Sequence, residues 1–187
     1  TPPTDIEQRL IEETQGMPYA GMQIGAPQAT FMTMLAKILQ PKLVVEIGTF
    51  TGYSALAVAK ALGDDATLIA CDVSDEWTSV GKPYWAEAGV DSRIDLRIGD
   101  ATDTLASFAP GTTVDMAFID ADKPSYIAYF DQLREQLDAK FCGGPFGIVV
   151  VAQDAFVNDD AGASRERRGH KSSSDWGTCT GCNRSND

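Results

Sequence analysis

Five short apolar runs recur along this chain, at residues 43–47, 67–71, 94–98, 114–119 and 148–152, and helical stretches at about 52–62, 77–87, 101–109 and 124–137 separate them. The runs are rich in Val, Ile and Leu and too short to be helices. Between them the apolar spacing shifts towards 3.6 residues. Strand and helix alternating over about 110 residues leave few choices. Each strand must run parallel to its neighbour through a right-handed helical crossover, because parallel strands need a connection long enough to return the chain. The predicted fold is therefore α/β, a doubly wound and mostly parallel sheet with helices on both faces. Such sheets bind ligands outside the carboxyl ends of their strands, so the loop after each strand is where function is expected.

Before the alternation, residues 5–14 place Ile6, Leu10 and Ile11 at helical spacing, predicting a short surface helix. A Gly/Met loop at 17–25 leads to Pro27, well placed to open a helix through Leu39. The predicted apolar stripe of that helix is Phe31, Met34, Leu35 and Ile38, and Pro41 ends it. After the alternation, residues 158–187 carry five acids, five bases and only five hydrophobics, with no period that buries a face. The expected organisation is a ligand-binding domain over 1–157 with N-terminal helices, followed by a polar, flexible tail over 158–187.

Charge narrows the partners. The whole net charge of −12 falls within residues 1–157, which hold 22 acids and 10 bases. An acidic surface repels phosphate backbones and anionic lipid, so neither nucleic acid nor a membrane is an expected partner. No apolar run reaches the length of a membrane-spanning helix, and the opening TPPTDIEQRL does not read as a signal peptide. Four scattered cysteines (71, 142, 179 and 182) are no disulfide framework, and a reducing, cytoplasmic setting is the expectation. In the tail, Cys179, Cys182 and His170 supply three zinc-type ligands where structural zinc usually takes four.

The loop after the first strand reads Glu46-Ile47-Gly48-Thr49-Phe50-Thr51-Gly52-Tyr53-Ser54. Glycines there let the backbone turn sharply and approach a ligand closely. The lysine of a P-loop is missing, and so is the Gly-x-Gly-x-x-Gly of a dinucleotide fingerprint. An acid two residues before the first glycine suits a cationic or hydroxylated ligand better than a pyrophosphate. Asp72, twenty residues beyond Gly52, ends the second strand where a carboxylate can bind ribose hydroxyls. After the third strand, Asp100 reads equally well as a helix cap. The fourth strand ends in Asp120-Ala121-Asp122-Lys123-Pro124-Ser125-Tyr126, where carboxylates and a lysine are costly unless paired or used.

The acid-x-Gly-x-x-x-Gly loop resembles the class I S-adenosylmethionine-dependent methyltransferases, which are Rossmann-like. With Asp-Ala-Asp-Lys-x-x-Tyr the chain resembles, from about residue 22 to 157, the cation-dependent catechol and caffeoyl-CoA O-methyltransferases. The resemblance implies S-adenosylmethionine as cofactor, contacted by Ile24, Glu46, Gly48, Thr49, Ser54, Asp72, Ala101 and Asp120. It implies Lys123 as the general base and a divalent cation such as Mg²⁺ at Asp120. The substrate implied is a small aromatic hydroxylated molecule, catechol-like or phenylpropanoid, and the assembly a homodimer paired through the N-terminal region. The only histidine, His170, lies in the tail, which disfavours a histidine base.

Two departures from that pattern stand out. After the fifth strand the family carries Asp-Asn as metal ligands, whereas here Gln153 and Asp154 occupy those positions. All-oxygen ligation by Asp120, Gln153 and Asp154 suits a hard cation. Nothing after Val157 reads as the closing strands of the family's sheet, so these are expected to be missing. A cofactor-binding scaffold of the same fold, catalytically impaired, is the alternative these departures favour.

Overall fold

The computed structural model describes residues 2–141 and 148–151. Helices α1 (Asp5–Gln15) and α2 (Ala26–Leu39) precede the alternation β1 (Leu43–Ile47), α3 (Tyr53–Ala59), β2 (Thr67–Asp72), α4 (Asp75–Glu87), β3 (Ile94–Ile98), α5 (Ala101–Ala106), β4 (Met116–Ile119), α6 (Tyr126–Phe141) and β5 (Ile148–Val151). The five strands form one sheet in the order β3-β2-β1-β4-β5, every pairing parallel. The expected α/β architecture is therefore present. The stretch after Val157, where the closing strands are expected to be missing, lies outside the described residues, as do the boundary at 157, the tail, Gln153 and Asp154. Among the described residues no helix is long and apolar enough to cross a membrane.

Period-two alternation divides the sheet between two cores. Val44, Leu68, Met116 and Phe118 face the core built with α1 to α4, including Leu10, Met32, Leu56 and Trp85. Val45, Ile47, Ile69, Cys71, Ala117 and Ile119 face the other, completed by Leu105 of α5 and Tyr129 and Leu133 of α6. Every residue of β4 is buried, as a central parallel strand requires.

The predicted stripe of α2 is not the face the helix buries. Ala29, Met32 and Ala36 are buried, while Phe31, Met34 and Ile38 are exposed and Leu35 is half-buried. Small residues win because α2 lies close against α3, near enough for the Thr33 hydroxyl to donate to the Ala57 carbonyl at 3.2 Å. Gln40 in the left-handed region (φ 46°) closes α2 one residue before Pro41. Strand four also starts later than predicted. Asp115 is spent outside the ladder, its Oδ2 accepting the backbone N–H groups of Lys42 (2.8 Å) and Leu43 (3.0 Å).

Candidate active site

The ends of β1, β2 and β4 are stitched together by main-chain bonds just where the predicted residues fall. Gly48 N–H donates to the Cys71 carbonyl (2.9 Å), and Asp120 N–H donates to the Ile47 carbonyl (2.8 Å). Gly48 has φ +92°, and a Cβ built on it would sit 2.0 Å from the Asp120 carbonyl oxygen. Only glycine lets the end of β4 pass so close to the loop. Gly99 N–H donates to the Asp72 carbonyl (2.9 Å), bringing the β3–α5 loop to the same edge.

Asp72 organises the loop in front of it. Its Oδ2 accepts the N–H groups of Thr49 (3.0 Å) and Phe50 (2.7 Å), and its Oδ1 accepts Ser74 N–H (2.8 Å). These bonds hold Phe50 at φ 51°, in the left-handed region. Gly52 (φ +80°) then starts α3 beneath Trp85. A Cβ there would sit 2.3 Å from the indole ring, and Trp85 Nε1 donates to the Gly52 carbonyl at 3.0 Å. Of the three aromatics on α4, Trp85 is thus a packing residue. Tyr84 is half-buried beside Arg9, and Trp77 meets Phe50 and Tyr19 edge to face.

Glu46 is the electrostatic anomaly of the site. Its side chain is 1% exposed, Thr49 Oγ1 donates weakly to Oε2 (3.4 Å), and Oε1 has no hydrogen-bond partner. Burial pushes its carboxyl up to about 8. Hydrogen bonds from Ser54 and Thr49 oppose that rise, and the charges of Asp120 and Asp72 add to it. An unpartnered buried acceptor is destabilising until a donor reaches it. A ligand carrying an ammonium or hydroxyl fits that requirement.

The remaining predicted residues distribute unevenly. Thr49 and Ser54 are buried beside Glu46. Ala101 is buried at the start of α5, whose cap is Asp100, its Oδ1 accepting Thr102 N–H at 2.8 Å. Ile24 is half-buried against the α1–α4 core. Asp120 is half-buried at the end of β4. Lys123 is exposed and opens a 3₁₀ turn, Lys123–Ser125, on the surface. Asp122 caps that turn, Oδ2 accepting Ser125 Oγ (2.5 Å) and N–H (3.2 Å), while Tyr129 donates to Oδ1 (3.1 Å). Asp122 thereby fixes the backbone under Lys123. Among the described residues no three His, Cys, Asp or Glu side chains group as a metal centre.

Two contributors escaped the sequence reading. Thr51 is fully buried in the glycine loop, accepting from Thr14 Oγ1 (2.9 Å) and Gln23 Nε2 (3.2 Å). Gln23 belongs to the loop of Ile24. Neither residue type is distinctive, and the partners stand 28 and 37 positions apart.

A parallel sheet whose first loop carries a buried acid and glycines against the end of the fourth strand defines the class I methyltransferase fold. The sequence model of the O-methyltransferase family matches residues 3–156, and the chain belongs to that family. It is 40% identical over 160 residues to "Probable caffeoyl-CoA O-methyltransferase 2" of Dictyostelium discoideum, covering 83% of this chain and 68% of that one. To the caffeoyl-CoA O-methyltransferase of Petroselinum crispum it is 38% identical over 142 residues, covering 74% and 58%. Its fold resembles that of the O-methyltransferase TomG from Streptomyces achromogenes, solved in complex with S-adenosylmethionine, with TM-score 0.65 and 27% identity over 72% of this chain and 61% of that one. The chain thus spans less than two thirds of some of the relatives it matches.

Proposed function

We propose that this protein transfers the methyl group of S-adenosylmethionine to a hydroxyl of a small catechol-like or phenylpropanoid substrate. The observation that carries the reading is the buried, unpartnered Glu46 Oε1 beneath a glycine loop that abuts Asp120. In this reading Glu46 meets the amino-acid end of the cofactor and Asp72 its ribose, with Gly48, Thr49, Ser54, Ala101 and Ile24 lining the rest. The sulfonium methyl is already electrophilic, so the protein's task is alignment and supply of an oxyanion. Lys123 takes the hydroxyl proton. The oxygen then attacks the methyl carbon in line, the S–CH₃ bond breaks, and sulfur keeps the electron pair as a thioether. Exposure of Lys123 lets its ammonium return the proton to water. Asp120, Gln153 and Asp154 would hold a divalent cation such as Mg²⁺, which when bound chelates adjacent hydroxyls and acidifies them.

Lys123→Ala is expected to lower kcat on a catechol by about 10²-fold or more, the usual contribution of a general base, without weakening adenosylhomocysteine binding. Unchanged turnover in that variant would reject the base assignment, and turnover indifferent to EDTA would reject the metal role. The Gln153-Asp154 pair favours the scaffold alternative, which calorimetry separates: cofactor binding with neither Mg²⁺ binding nor turnover supports it.

A further inference from the structure

The start of α1 and the helices α2 and α3 enclose a cavity of about 530 Å³, and none of the residues assigned to the cofactor lines it. Its size falls within the roughly 300–1,000 Å³ of small-ligand sites. Met34 and Ile38, the exposed apolar residues of α2, form one wall with Ala29, Ala57 forms part of the other, and Pro2 and Pro3 stand at the α1 end. Tyr53, the first residue of α3, also lines the space. It is 3% exposed, and its hydroxyl has no hydrogen-bond partner among the described residues. Burial, and after it the charge of Glu7 across the cavity, push this phenol above its ordinary value, so it keeps its proton and is available as a donor. A buried donor without an acceptor is destabilising until one reaches it. The charges in the lining are unequal. Lys60 Nζ lies 3.2 Å from Glu7 Oε1 and donates to Thr4 Oγ1 (3.0 Å), while Glu7 Oε2 accepts Thr4 N–H (2.7 Å) and Oγ1 (2.8 Å). That acid is therefore compensated. Lys37 is exposed and has no ion-pair partner among the described residues, which leaves two ammonium groups against one carboxylate.

We propose that this cavity is a second ligand site, which takes a small organic anion: a carboxylate on an aliphatic body. The carboxylate accepts from the Tyr53 hydroxyl, Lys37 supplies the unpaired positive charge, and the aliphatic chain lies along Met34 and Ile38. An aliphatic chain suits walls of alanine, methionine, isoleucine and proline, which offer area without a ring to stack on. A cation of the same shape would leave the Tyr53 donor unmet and face both ammonium groups. The inference goes beyond the methyl-transfer reading and does not depend on it, because the two sites share no residue.

The test is titration calorimetry of decanoate into the full chain, with the decylammonium ion as the control of opposite charge, on wild type, Tyr53→Phe, Lys37→Gln and Met34→Trp. Decanoate is expected to bind saturably and decylammonium at least about tenfold more weakly. Losing a hydrogen bond to a charged group corresponds to about tenfold in an equilibrium, the weakening expected of Tyr53→Phe. Lys37→Gln, which removes an exposed charge, should weaken binding about threefold. Met34→Trp puts an indole into the wall and should abolish binding. Tyr53→Phe gives up no protein hydrogen bond, so its ligand-free melting temperature should stay within about 1 °C of wild type. Lys37 and Met34 lie on α2, outside the glycine loop, so losses in their variants place the ligand in the cavity. No saturable binding at millimolar decanoate overturns the proposal, and so does equal affinity for decylammonium. Binding that all three variants leave unchanged assigns the decanoate to another part of the molecule and overturns it too. So does a dimer in sedimentation that excludes decanoate until dilution separates it, because the cavity is then a face between two copies of this chain.

Discussion

Glu46 is buried at a cost, because a carboxylate with one unpartnered oxygen stands beside two other acids. The consequence can be read in stability. In the unfolded chain this carboxyl titrates near 4.5, and in the fold at about 8. Between those values the folded protein keeps a proton that the unfolded chain has released, so stability falls as pH rises through the window and levels off above it. Glu46→Gln is neutral at every pH and escapes this loss. At pH 8.5 the ligand-free variant should be more stable than wild type by on the order of a few kcal/mol, and near pH 4.5 the two should melt together. Thermal unfolding at the two pH values checks it, and a gain of equal size at both would point to packing instead of protonation. The presence of an acid before Gly48 was legible in the sequence. That one of its oxygens lacks a partner was not, because that depends on where Thr49, Ser54 and the neighbouring strand ends come to rest.

Helix α2 shows how composition misleads at the level of an element. Its sequence is apolar on more than one face, so Phe31, Met34 and Ile38 and the set Ala29, Met32 and Ala36 both satisfy helical spacing. Side-chain size favours the first set, but the close approach of α3 selects the second, since alanines and a threonine admit a neighbouring backbone that phenylalanine would hold off. Met32→Ala should therefore cost about 2–5 kcal/mol, the range for emptying a buried methionine site. Ile38→Ser, at a residue 70% exposed, should stay within about 0.5 kcal/mol. Urea unfolding of both variants measures the contrast, and equal losses would restore the larger stripe as the packed face. Strand positions were easier to read than helix faces, because β1 and β4 are buried on both sides and need only a continuous apolar run.

Across the whole molecule, the sheet order places β1 and β4 side by side at the centre although 68 residues separate Ile47 from Met116. Alternation implied a parallel sheet and a crevice at its carboxyl edge, but not which strands would be neighbours. That adjacency is what brings the Asp120 carbonyl against Gly48 and the acid of β1 near the acid of β4. Candidate residues were legible because strand ends carry the chemistry in this architecture. The contacts Gln23–Thr51 and Asp122–Tyr129 were hidden because they join ordinary polar residues through folding alone.

The same arrangement makes cofactor binding a property of the entire domain, since the proposed contacts come from β1, β2, β4 and the starts of α3 and α5, and all of them dissolve on unfolding. A ligand that binds only the folded state stabilises it by about 2.7 kcal/mol at a hundredfold excess over its Kd. For a chain of this size that corresponds to a rise in Tm of roughly 5–10 °C. Adenosylhomocysteine is expected to produce such a shift in scanning fluorimetry. NADH is not, because the loop after β1 offers Thr49-Phe50-Thr51 between its glycines where a dinucleotide site needs a third glycine close by. The shift should shrink in Asp72→Ala, which removes the acceptor for the Thr49 and Phe50 N–H groups and so loosens the loop before any ligand arrives. A protein stabilised by NADH and indifferent to adenosylhomocysteine would leave the fold as described but assign its crevice to a different chemistry.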